Sequence, residues 1–104
     1  MSGLDDRKDG MDAKLAHDNE LRFKVMNRRN KLLGLWAADK LGKTGDDASA
    51  YAKEVVASDF EEQGDDDVLR KVAKDLESTG TTAAQIRAEM DRLVHVAHDQ
   101  VTSD

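Results

Sequence analysis

The chain of 104 residues contains no cysteine and no proline, and its aromatic residues number one tryptophan, one tyrosine and two phenylalanines. Without cysteine there is no disulfide framework, no thiolate chemistry and no cysteine-ligated zinc, and a reducing compartment suits the chain. No apolar stretch approaches the roughly 20 residues needed to cross a bilayer, and the opening "MSGLDDRKDG" lacks the apolar segment of a secretory signal. The expectation is therefore a cytoplasmic protein without direct membrane insertion. The absence of proline beside abundant alanine, lysine, glutamate and leucine favours helix throughout, so the expected fold class is all-α. One domain accounts for this length, near the low end of the size at which a core holds without staples.

Charge is plentiful but unevenly placed. The net charge is −6, yet residues 1–20 sum to −3, 21–45 to +6, 46–67 to −8 and 68–104 to −1. Neighbouring blocks of opposite sign suggest internal pairing, which at a surface is worth about 0–1 kcal/mol per pair. They also argue against nucleic acid as a partner, because the acidic block repels the phosphates that the basic block attracts.

Gly42, Gly45, Gly64 and Gly80 punctuate the chain at positions where helix ends or interhelical turns need a positive φ. Between them the apolar spacing predicts helices. Ile86, Met90, Leu93, Val94, Ala97 and Val101 form one stripe, with Thr82 and Gln85 as a capping box at its start. Val68, Leu69, Val72, Ala73 and Leu76 form another behind Asp65, Asp66 and Asp67, whose charges suit the positive end of a helix dipole. A helix from about Asp46 to Gln63 buries Ala48, Tyr51, Ala52, Val55, Val56 and Phe60, and Gly64 stops it.

The first segment differs. Leu21, Val25, Leu32, Leu33, Leu35, Trp36 and Leu41 make a broad apolar face, with Trp36 and the leucines expected to seed the core. Ahead of Leu21 only Leu4, Met11 and Leu15 continue it, Gly10 interrupts it, and helix there is marginal without a partner. One helix over 4–41 would run about 57 Å, against about 28 Å for a final helix over 83–101. Roughly the first 20 residues must overhang the bundle, fold back on it, or remain disordered. The expected architecture is a four-helix domain over 21–104 with a flexible, partly disordered arm over 1–20 that becomes helical when another protein grips it.

Short motifs add little chemistry. "GKTG", Gly42 to Gly45, contains the end of a phosphate-binding loop, but Ala37 stands where its first glycine belongs and no strand precedes it. A glycine-rich turn is the stronger reading, with a weak nucleotide contact at Arg28, Arg29, Lys31 and Lys43 as the alternative. His95 and His98 lie three apart near Asp91 and Asp99 without a third fixed ligand, so no metal site and no cofactor are expected. His17, beside Asp18 and Glu20, could change charge near neutral pH. No catalytic constellation stands out, which argues against an enzyme and leaves the catalytic set empty.

The basic cluster Arg28, Arg29 and Lys31 stands directly before Trp36, where the helix would leave the core, and so marks the junction of domain and arm. The same stretch, "NRRNKLLGLWAA", resembles the zeta subunit of alphaproteobacterial F-type ATP synthases, as do "AKLAHDNELRFK" and "YAKEVVASDFEEQGDDDVLRKVAKDL". The resemblance covers nearly the whole chain in order. It implies a four-helix inhibitor of ATP hydrolysis, peripheral to the inner membrane through the ATP synthase. Its N-terminal segment would insert as a helix at a catalytic interface of the head, formed by alpha, beta and gamma subunits, while the bundle secures it outside. Carried over position by position, the arm comprises Leu4, Asp5, Asp6, Arg7, Met11, Lys14, Leu15, His17 and Asp18. Leu21, Phe23, Arg28, Arg29, Asn30 and Lys31 lie at its root. The family often has phenylalanine where Leu4 and Leu15 stand, and glutamate and a larger apolar residue where Lys8 and Gly10 stand, so weak inhibition is expected. Two other readings stay open: a nucleotide-binding helical regulatory module, and a self-associating bundle that sequesters its own arm.

Overall fold

The computed structural model describes the backbone of residues 2–60 and 66–103, and the side chains of residues 19–59 and 66–103. Four α-helices follow one another: α1 (Ser2–Lys40), α2 (Gly45–Ala57), α3 (Asp66–Asp75) and α4 (Ala83–Thr102). Short 3-10 turns follow α2 at Ser58–Phe60 and α3 at Glu77–Thr79. The all-α expectation holds. Helix α1 is the spine, flanked by α2 and α4, and α3 closes the bundle mainly against α4. At 39 residues, α1 spans about 58 Å, and the molecule measures 63 × 26 × 21 Å. The first buried residue along α1 whose side chain is described is Val25; residues 19–24 ahead of it are exposed or half-buried.

The core gathers Leu33, Ala37 and Ala38 of α1, Tyr51 and Val55 of α2, Val68 and Val72 of α3, Leu76, and Ile86, Met90 and Leu93 of α4. Trp36 is not its seed. The helices α1 and α2 meet through small residues: a β-carbon added to Gly34 would stand 2.6 Å from the Cα of Ala52. Such close approach leaves no room for an indole between them. Trp36 packs at the rim, with the Lys40 ammonium 4.9 Å from its ring centroid, and Leu35 is 37% exposed.

The helix ends follow local chemistry. The Gly42 amide donates to the Asp39 carbonyl and the Lys43 amide to the Ala38 carbonyl, the paired bonds of a Schellman motif, with Gly42 at φ +76°. "GKTG" is thus a helix-to-helix turn, in which Gly45 also has positive φ and opens α2. At the start of α4 the capping box forms as expected: the Gln85 amide donates to Thr82 Oγ1, and the Thr82 amide donates to Gln85 Oε1. Such a cap contributes about 1 kcal/mol.

Helix α2 is shorter than expected, ending at Ala57. The Ser58 hydroxyl donates to the Val55 carbonyl at 2.6 Å, an alternative to continued helix, and the backbone tightens into the 3-10 turn. Gly64 and the side chain of Phe60, given roles in that longer helix, lie outside the described residues. Among the described residues, ion pairs that join helices include Lys71 with Glu54 and Arg87 with Asp66, each linking the acidic block at 46–67 to a later helix.

Candidate partner-binding site

The chemistry-bearing residues singled out on α1 fall into distinct environments. Leu21 is half-buried and Phe23 is 62% exposed, a large apolar ring standing in water just before the bundle begins. Lys24 reaches Glu20 one turn back at 3.6 Å, both largely exposed. Arg28 lies half-buried and donates from Nη1 to Gln100 Oε1 on α4 at 2.9 Å, tying the root of the arm to the last helix. Lys31 is exposed. Leu4, Asp5, Asp6, Arg7, Met11, Lys14, Leu15, His17 and Asp18 lie outside the residues whose side chains are described.

Arg29 and Asn30 face inward. They are 1% and 0% exposed. Arg29 donates from Nε and Nη2 to Asn30 Oδ1 at 2.9 and 2.7 Å, and Asn30 Nδ2 donates to Asp59 Oδ2 at 3.1 Å. A buried guanidinium requires such partners. The network joins the middle of α1 to the turn after α2, so Arg29 acts from the interior and not as part of a surface patch. Lys43 is separated as well: from Lys31 to Lys40 α1 rises about 13 Å before the turn that carries Lys43 begins. The four cations grouped by sequence proximity therefore do not form one anion cradle.

What the fold does assemble along α1 is a groove. One depression of about 600 Å³ is lined by Lys24, Asn27, Arg28, Lys31, Val56 and Val101. It shares Lys31 and Val56 with a second of about 700 Å³ that reaches Leu35, Ala52 and Lys53, and shares Lys24 and Val101 with a smaller one that starts at Glu20. Lys53, Asn27, Val56 and Val101 were not legible as site residues because they meet only when α2 and α4 are laid beside α1.

A second polar cluster locks α2 to α3. The Tyr51 hydroxyl donates to Asp75 Oδ2 at 2.8 Å and Lys71 Nζ donates to the same oxygen at 3.0 Å. Lys71 also lies 3.6 Å from Glu54 and 5.3 Å from the Tyr51 ring centroid. Burial, reinforced by the Asp75 carboxylate, holds the Tyr51 phenol well above its usual pKa. Burial pushes Asp75 upward, but the hydrogen bonds from Lys71 and Tyr51 and the charges of Lys71 and Lys74 bring its carboxyl below the ordinary range. This cluster is a structural clasp. His95 and His98 are both exposed, and among the described residues no group of three histidine or carboxylate side chains is placed to hold a metal ion.

The described root of α1 thus carries an exposed aromatic ring, Phe23, and a groove lined in part by Lys24, Arg28 and Lys31. The profile of the family described as ATPase inhibitor subunit zeta matches residues 1–100. The chain belongs to that family. Four chains among solved structures also match. One, a solution NMR structure of a protein 51% identical, superposes with a TM-score of 0.75 over 80% of this chain and 96% of that one. Comparison with curated proteins gave no match. Among the described residues no helix is long and apolar enough to cross a membrane.

Proposed function

We propose that this chain restrains ATP hydrolysis by the ATP synthase, with residues 1–20 inserting as a helical wedge at a catalytic interface of the head while the bundle holds the subunit in place. The observation that carries this reading is the root of α1: residues 19–24 hold no buried side chain and Phe23 stands exposed, while the helix continues back to Ser2. A helix without packing partners is marginal in water. Ordering about 15 residues costs on the order of 15–30 kcal/mol in backbone entropy, so a shaped groove on the partner must supply the compensating contacts. Leu21 and Phe23 continue the contact surface where the arm meets the bundle. The partner surface is formed by the alpha, beta and gamma subunits, the protein is peripheral to the membrane through them, and the chain performs no catalysis of its own.

The test is an ATPase assay on purified synthase with the intact chain and with a version starting at Glu20. Every fully buried residue named in the core lies at or beyond Leu33, so the shortened chain keeps its fold. Loss of inhibition with the fold intact supports the wedge; equal inhibition by both overturns it.

A second reading, a nucleotide-binding regulatory module, rests on the depression lined by Lys24, Arg28 and Lys31. Under that reading, adding ATP shifts amide signals at those positions while leaving Lys43, on the far turn, unmoved.

A further inference from the structure

Helices α1 and α2 leave a cleft open between them. On α1, Lys24, Arg28, Lys31 and Leu35 line it at intervals of four, three and four residues, one face of the helix over about 17 Å. On α2, Ser49, Lys53 and Val56 line it at intervals of four and three. Lys31 and Val56 border both depressions, so the cleft is continuous. Its charge is one-sided. Glu20, at its outer end, is engaged by Lys24, and Glu54, next to Lys53 in sequence, pairs instead with Lys71 of α3. Lys31 and Lys53 are exposed, and among the described residues no carboxylate pairs with either.

This layout selects a class of ligand. A phosphate is held where donors converge on one point. Here the cations are stepped: from Lys24 to Arg28 α1 rises about 6 Å and from Arg28 to Lys31 about 4.5 Å, while Lys53 stands on the other helix. A row of cations beside apolar Leu35 and Val56 matches a row of carboxylates beside apolar side chains, which is the surface of an acidic amphipathic helix. We propose that the α1–α2 cleft is the surface by which the bundle is anchored, and that it seats an acidic amphipathic helix of the partner protein. The chemistry of the occupant rests on the cleft; that the occupant belongs to the ATP synthase rests on the function proposed above. Carboxylates at i, i+4 and i+7 on that helix run beside Lys24, Arg28 and Lys31, and a further one meets Lys53. Gln100 accepts from Arg28 and fixes the middle of the row. Anchor and wedge then divide the work: the cleft sets affinity, and the segment ahead of it sets the block.

The chain starting at Glu20 tests this, because it keeps the cleft and lacks the wedge. Its binding to purified synthase is measured directly, alongside the same chain carrying Lys31→Glu and Lys53→Glu, with melting curves to verify the fold of both. The shortened chain should bind, the charge-reversed one should bind about tenfold or more weakly, and raised salt should weaken the former. A benzophenone on Ser49→Cys, the sole thiol in a chain without cysteine, should crosslink to a synthase segment with carboxylates flanking apolar residues at helical spacing. No binding by the shortened chain, equal binding by the charge-reversed chain, or crosslinking to a segment without that pattern overturns the proposal. So does crosslinking to a second copy in place of the synthase, and so do saturable shifts centred on Lys31 and Lys53 when ATP alone is added to the free chain, which would give the cleft to a nucleotide. The wedge fails separately: if the intact and shortened chains inhibit equally, the anchor stands without it.

Discussion

Gly34 of α1 and Ala52 of α2 are packed so closely that a β-carbon at position 34 would lie 2.6 Å from the Ala52 Cα and 3.1 Å from its Cβ. The obstacle is backbone, which does not swing aside. Gly34→Ala gains about 1 kcal/mol of helix propensity but forces α1 and α2 apart at a cost of about 1–3 kcal/mol or more. The expected net effect is destabilisation, read as a lower midpoint in urea unfolding with an unchanged slope; a more stable Gly34→Ala variant would show that the helices separate freely.

That contact marks a limit of what sequence conveys. The stripes on α3 and α4, the Thr82 capping box and the Gly42 turn were legible because each is set by periodicity or by bonds within a few residues. Gly34 hid inside "LLGLW", where a glycine in an apolar helix resembles a mere weakness rather than a point of helix contact. Trp36 misled in the same way, since its size suggested the centre of a core that is in fact filled mainly by aliphatic side chains of all four helices, with small residues where α1 meets α2. The basic stretch at 28–31 could not be resolved into an inward Arg29 and an outward Lys31 without knowing which neighbours α1 would meet. Asp59, the group that receives Asn30, lies 29 residues further on.

The Arg29–Asn30–Asp59 network predicts a sharp asymmetry between two neighbours on α1. Asn30→Ala removes the acceptor for two donors of a buried guanidinium and the donor to Asp59, a loss of roughly 2–3 kcal/mol. Lys31→Ala, at an exposed position, should stay within about 0.5 kcal/mol of the parent. Thermal unfolding of both variants in one buffer checks this; equal stabilities would mean that Arg29 finds equivalent partners elsewhere.

The Tyr51–Asp75 clasp should be visible in pH dependence at both ends of the scale. Asp75 has a lower pKa folded than unfolded, so its contribution is whole above the unfolded value of about 3.9 and is lost as pH falls through the folded one. Tyr51 is raised, so its contribution is whole below about pH 10 and declines as pH rises through its folded value. Tyr51→Phe should cost about 1 kcal/mol at pH 7. It should also remove the alkaline decline and blunt the acid one, because the carboxylate loses one donor. Stability curves for both chains from pH 3 to 11 decide the matter, and an unchanged alkaline limb in the phenylalanine variant would exclude the phenol as its source.

Phe23 offers the cleanest separation of folding from binding. Its side chain is 62% exposed, while Val25, two residues on, is 6% exposed. Removing the ring therefore takes little from the core, and Phe23→Ala should change unfolding free energy by no more than about 0.5 kcal/mol. An exposed rigid aromatic at the root of a binding helix is the kind of residue whose truncation costs upward of 1 kcal/mol at an interface, a factor of about five or more in affinity. Titrating ATP synthase with the variant should shift the inhibition curve to higher concentration by that factor while the melting curve stays put. A shift in neither would place the contact surface elsewhere on α1. A fall in melting temperature matching the loss of inhibition would assign the ring to folding.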